Sequence, residues 1–188
     1  MGAAIPTLEN TIFPESKYAR IKRERKFLLR HLPEPLTGAS EHTQIWDNYI
    51  TNTRLRLRKV RYPKTKEYVV KLTQKYPLDP DDLSRFVITN MYLSAMEYEV
   101  LSIFEGNEIR KNRYPFEYEG HKYSVDGFIG PLHGLVIAEI SFETDEEMNA
   151  LTPPSFAVRE VTQDIKFTGG KLYETTADEL REYLRSME

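Results

Sequence analysis

Lys22, Glu24 and Lys26 stand two residues apart, the spacing that puts side chains on one face of an extended strand. In the stretch from Ile21 to Leu29 that face carries only charge, while Ile21, Arg23, Arg25 and Phe27 take the other. The pattern recurs. Arg54, Arg56 and Arg58 alternate with Leu55 and Leu57; Lys71, Thr73 and Lys75 with Val70 and Leu72; Arg85, Val87 and Thr89 share a face; so do Lys111 and Arg113. Arginine offers paired donors to phosphate oxygens and lysine a compact point charge, so such faces turned toward one another would form an anion site. Glu24, Asp126 and Glu139 add carboxylate oxygens, the donors that hard divalent ions take. A lone charged strand face is ordinarily just solvated, so the chemistry depends on whether these strands face each other.

The elements that must position these residues read as strands joined mainly by hairpins. Strands are expected over 21–30, within the run 44–61, and over 67–75, 84–90, 109–116, 122–128 and 135–142, with a last one over 158–167. Ser94 with Glu97 and Thr144 with Glu147 are capping-box pairs, which predict helices over 95–104 and just after 144, the second ended by Pro153-Pro154. Thr176 with Glu179 opens a final helix over 177–187, where Leu180, Tyr183, Leu184 and Met187 fall on one face. Residues 1–17 read as an irregular arm and 18–188 as a single domain. That gives about eight strands and three helices, an α+β, mainly β, chain. Its polar faces can lie in water or meet inside a closed sheet.

Totals narrow the function classes. The chain has 188 residues, a formal net charge of −3 and no cysteine, which excludes a disulfide framework, thiolate metal sites and a cysteine nucleophile, and suits a cytoplasmic setting. No apolar run approaches the roughly 18 residues of a membrane span. Lys and Arg crowd residues 17–75 while acids gather in 139–188, so a one-sided or enclosed anion site fits better than a nucleic-acid-coating surface. His31, His42, His121 and His133 show no ligand spacing, and Trp46 and the tyrosines read as core or rim. Asp126, just before Gly127, reads equally well as a turn residue.

Over about residues 20–172 the chain resembles the CYTH domain family, the triphosphate tunnel metalloenzymes. Glu24-Arg25-Lys26-Phe27-Leu28 matches the second part of that family's Glu-x-Glu-x-Lys strand. Arg56-Leu57-Arg58, Lys111-x-Arg113-Tyr114, Val125-Asp126-x-Phe128, Leu135 to Glu139 and Glu160-Val161-Thr162 with Asp164 follow in order. The resemblance implies a closed eight-stranded antiparallel β-barrel, a tunnel with helices packed outside. It implies that Lys22, Lys26, Arg56, Arg58, Lys71, Arg85, Lys111 and Arg113 bind a linear triphosphate, inorganic or on a nucleotide. It also implies that Glu24, Glu139 and Asp126 hold magnesium or manganese, with Glu24 and Glu139 catalytic in hydrolysis of the terminal phosphate.

A family Lys falls on Thr73, flanked on the same face by Lys71 and Lys75, and four other departures from the family pattern share one sign. Lys22 stands where its first signature Glu is expected, and Val87, Thr89 and Ser141 stand at three further Glu positions. An ammonium at position 22 repels a divalent ion and attracts phosphate, yet cannot generate a metal-bound hydroxide. Two readings therefore remain open: a metal-dependent triphosphatase, and a non-catalytic phosphate- or nucleotide-binding module.

Overall fold

Alternating sequence closes into a barrel. The structure, a computed structural model, describes residues 18–185; the arm at 1–17 and the end of the last expected helix, Met187 included, lie outside them. Eight antiparallel strands run in chain order: β1 (Arg20–Leu29), β2 (Thr43–Ile50), β3 (Leu55–Tyr62), β4 (Glu67–Asp79), β5 (Asp82–Tyr92), β6 (Gly106–Tyr118), β7 (His121–Ile129) and β8 (Val136–Phe142). The hydrogen-bonded order is β5-β4-β3-β2-β6-β7-β8-β1, and a β1–β5 pairing over Arg20 to Arg23 seals the circle. A two-residue strand, β9 (Arg159–Glu160), pairs with Phe27 and Leu28 where β5 has left β1.

Register decides what faces inward. Lys22 pairs with Phe86, Glu24 with Ser141, Lys26 with Glu139, and Glu139 with Ser124 on β7. Continuing round, Asp126 pairs with Arg113, Lys111 with Ile45, Asp47 with Arg58, and Arg58 with Lys71. Paired residues share a face, so one phase of every strand lines the lumen. The other phase of β1, β6, β7 and β8 builds an apolar core outside the barrel. Phe27, Leu29, Tyr114, Tyr123, Val125, Val136, Ala138 and Ile140 are buried there with Leu151, under Leu32, Leu36 and Phe156.

A second core closes one mouth. The inward-facing Leu28, Ile109, Phe128 and Ile137 pack with Val161, Phe167, Leu172 and Leu180 from the C-terminal segment. That segment holds a 3-10 turn at Ile165–Phe167 and the helices α3 (Gly169–Leu172) and α4 (Ala177–Arg185). On α4, Tyr183 and Leu184 join Leu180 on the packed face, as the sequence spacing predicts.

Several elements differ from expectation. The run 44–61 is a hairpin of two strands turning at Asn52, whose φ of 58° places it in the left-handed region. The strand expected over 158–167 is reduced to β9, because Val161 onward turns in to cap the lumen. Both capping boxes are present, on α1 (Ala95–Leu101) and α2 (Asp145–Ala150). However, α1 buries no residue, leaving Met96 and Val100 exposed.

Candidate functional site

Two groups of charge fill the lumen. The first is built on β1. Glu24 is fully buried, and both its oxygens accept ammonium groups: Oε2 from Lys22 at 2.6 Å, Oε1 from Lys75 at 2.7 Å and Lys26 at 3.0 Å. Lys22 also reaches Glu139 Oε1 at 2.5 Å, so one ammonium lies between two carboxylates. The Phe86 ring stacks against Lys75 Nζ at 3.8 Å and lies 5.6 Å from Lys26 Nζ, a favourable use of an aromatic face where charge is desolvated.

The second group lies across the barrel on β2, β3, β6 and β7. Arg58 forks onto Asp47 through Nε at 2.5 Å and Nη2 at 2.6 Å. Arg113 forks onto Asp126 at 2.6 and 2.7 Å, and Lys111 adds 2.6 Å to Oδ2. Arg56 Nε is buried without a hydrogen-bond partner, 3.5 Å from Asp47 Oδ1. Among the described residues Lys71 has no ion-pair partner; the Tyr92 ring lies 5.9 Å away.

Basic groups outnumber acids. Lys22, Lys26, Arg56, Arg58, Lys71, Lys75, Lys111 and Arg113 face Glu24, Asp47, Asp126 and Glu139. The titration behaviour follows. Burial, then Arg58 and Arg56, push Lys71 down to about 8. Burial pushes Lys75 down to about 7 against the pull of Glu24, with Lys26 and Lys22 adding to the fall. The acids also shift downward, which in their case favours the charged form. Burial and the neighbouring Glu139 resist ionisation of Glu24, yet Lys26, Lys75 and Lys22 hold it well below the usual carboxylate range. Burial likewise opposes ionisation of Asp126, and Arg113 and Lys111 overcome it.

The structure gathers Lys22, Glu24, Lys26, Arg56, Arg58, Lys71, Lys111, Arg113, Asp126 and Glu139 into one lumen. Arg85 is not among them. On β5 it pairs with Arg23 on the outer face, held by Asp82 and, at 3.0 Å, by Asp145 Oδ1. Val87 and Thr89 share that outer phase, so their lack of a carboxylate bears on no lumen site. The inward residues of β5 are Phe86, Ile88 and Asn90. Asp126 is a buried mid-strand residue rather than a turn. Asp47, absent from the sequence-based site, is the principal omission. Its signal was the alternation Ile45, Asp47, Tyr49, masked because two of the three are apolar or aromatic. Lys75, read only as a flanking residue, contacts Glu24 directly.

A circular eight-stranded antiparallel sheet with an inward cationic face is what the resemblance implies, and the described residues form one. Comparison with known proteins agrees with this fold. No protein-family model matches the chain. An inorganic triphosphatase of Acetivibrio thermocellus is 37% identical over 95 residues, covering 45% of this chain and 60% of that relative's length. An inorganic triphosphatase of Nitrosomonas europaea is 26% identical over 150 residues, covering 77% and 91%. The crystal structure of the inorganic triphosphatase NE1496 superposes with a TM-score of 0.54 at 23% identity, covering 82% of this chain and 95% of that one. Among the described residues, no helix is long and apolar enough to cross a membrane.

Proposed function

We propose that the tunnel binds a linear triphosphate and hydrolyses its terminal phosphate, and that residues 18–188 act as one domain in this task. The observation that carries the reading is the surplus of buried cations over carboxylates, with Lys71 unpaired and Arg56 Nε unsatisfied. Two like charges about 4 Å apart repel by roughly 4 kcal/mol at an effective dielectric of 20, so an empty lumen of this kind is costly and an anion relieves it. A triphosphate supplies several oxygens in a row, matching guanidinium and ammonium groups spread over four strands. The similarity to two inorganic triphosphatases supports the inorganic ion over a nucleotide. A tunnel lined on the inside argues against nucleic acid, and the lack of cysteine suits a cytoplasmic protein.

In the reaction, water adds to the terminal phosphorus while the bond to the bridging oxygen breaks, and the lumen cations stabilise charge spread over the phosphoryl oxygens. Glu139, with 14% of its side chain exposed against none of Glu24's, is the carboxylate placed to orient that water. Glu24 is the organiser of the three ammonium groups around it.

The carboxylates expected to hold magnesium or manganese are already engaged. Glu24, Glu139 and Asp126 would hold the ion, but each already accepts from lysine or arginine. Among the described residues no group of three or more His, Cys, Asp or Glu side chains converges. The donor set does not fit a resident divalent ion. Calorimetry and phosphate release with triphosphate and ATP, each in magnesium, manganese and chelator, test the proposal. Triphosphate binding with release is the expected outcome. Absence of triphosphate binding in all three conditions sinks it. Binding without release in any condition selects the non-catalytic module instead.

A further inference from the structure

Lys22 occupies a position that its two neighbours define. Its Nζ is 2.6 Å from Glu24 Oε2 and 2.5 Å from Glu139 Oε1, distances at which an ammonium satisfies two carboxylates at once. The two acids come from β1 and β8, adjacent strands in which Lys26 pairs with Glu139 and Glu24 with Ser141. They are close enough to oppose each other's ionisation. A pair of ionised carboxylates in a desolvated lumen demands a cation between them. In this chain a covalently attached one meets the demand, and its side chain is only 25% exposed.

We infer that Lys22 is a built-in substitute for a divalent ion: its ammonium holds Glu24 and Glu139 together, so the tunnel takes up triphosphate without a resident metal, and removal of the ammonium unmasks a divalent-cation site. Only the clause on triphosphate uptake rests on the triphosphate reading above; the ammonium bridge and the unmasked cation site do not. Magnesium and manganese bind through one or a few carboxylate oxygens plus water. With Lys22 in place, an entering ion must displace a charge-assisted contact and then sit beside the displaced ammonium. Without Lys22, the same oxygens face each other with Lys75 and Lys26 on Glu24 Oε1 only, leaving Glu24 Oε2 and Glu139 Oε1 to a metal.

Manganese titration of the full chain without triphosphate, followed by electron paramagnetic resonance of free manganese, tests the substitution. The wild type is expected to show no site tighter than about 1 mM, and so is Lys22→Arg, which keeps the charge. Lys22→Gln and Lys22→Glu are expected to gain one site at least about tenfold tighter, a change of roughly 1.4 kcal/mol. Thermal melts establish that each variant is folded, and Lys22→Gln serves if Lys22→Glu is not. A wild-type site as tight as that of the variants, or folded Gln and Glu variants without any site, overturns the inference.

A second measurement reads the ligand. Triphosphate affinity of the wild type is expected to agree within about twofold between chelator and magnesium, whereas Lys22→Glu loses at least about tenfold in chelator and recovers with metal. A wild type that binds triphosphate only with metal overturns the inference. If triphosphate binds under no condition the proposed function falls, while the manganese titration still decides the role of Lys22.

Discussion

Lys71 and Asp126 face the same lumen with opposite electrostatic standing, and mutation separates them. Lys71 has no acid to leave behind. Lys71→Met is expected to leave the empty protein as stable or slightly more so, while triphosphate affinity falls about tenfold, since a hydrogen bond to a charged group is worth roughly 1.5–3 kcal/mol. Asp126→Asn does the reverse. It strips the countercharge from Arg113 and Lys111, and removing one partner of a buried pair costs about 3–5 kcal/mol; the melting temperature should drop sharply, and triphosphate should restore part of the loss. A Lys71→Met protein that melts lower than wild type would refute the view that this lysine is held at a cost.

The pH dependence of Lys71 has a definite sign. Its ammonium is ordinary in the unfolded chain but titrates near 8 in the empty tunnel. Below that pH the group is charged in both states and the folded state bears the full penalty. From about 8 to the ordinary lysine range near 10.5 the folded protein sheds the proton first, so stability of the empty tunnel rises with pH there. Lys75, pushed down to about 7, adds a rise of the same sign, so Lys71→Met should show a smaller rise than wild type, and saturating triphosphate should flatten the Lys71 part by restoring its charge. Melting curves of the two proteins between pH 7 and 10, with and without triphosphate, measure it.

At the scale of elements, the closed mouth depends on a close approach. Gly169, which opens α3, lies so near Tyr49 of β2 that an added Cβ would stand 1.8 Å from the tyrosine hydroxyl. Gly169→Ala must move α3 or Tyr49, at the roughly 1–3 kcal/mol typical of overpacking. A melting temperature within a degree of wild type would show that the segment does not seat on the barrel as described. This contact was invisible in the sequence, because a glycine before a helix gives no sign of the strand it meets. The alternation of β1, β3 and β6 was legible, since charge on one phase and leucine or aromatic residues on the other leave one arrangement. On β5 the same logic chose the wrong phase. Arg85 and Thr89 mark one phase as polar, yet Phe86 of the other phase faces inward, its ring covering Lys75 and Lys26. Polarity alone misassigns a strand whose aromatic residue serves the charges. Asp47 was lost for a related reason, lying inward between Ile45 and Tyr49, where an apolar phase suggests core.

For the molecule as a whole, the formal charge of −3 and the cationic lumen together describe an acidic body with a basic interior. An eight-stranded barrel has room inside for side chains and at most one small ligand, and one mouth is occupied by Phe167, Leu172 and Leu180. A duplex or a folded RNA cannot reach the lumen arginines, so an oligonucleotide with a 5′-hydroxyl is expected not to bind at 0.15 M ionic strength, where a surface-basic sheet would still retain measurable affinity. A blind tunnel also limits length. Phosphates enter from one side, and those beyond the layers set by Lys22, Arg58 and Arg113 lie outside the barrel. Affinity per chain end should therefore climb from pyrophosphate to triphosphate and then level off for longer polyphosphates. Competition calorimetry across that series measures it, and affinity that keeps growing with chain length would mean that the polyanion binds along the surface instead of within the barrel.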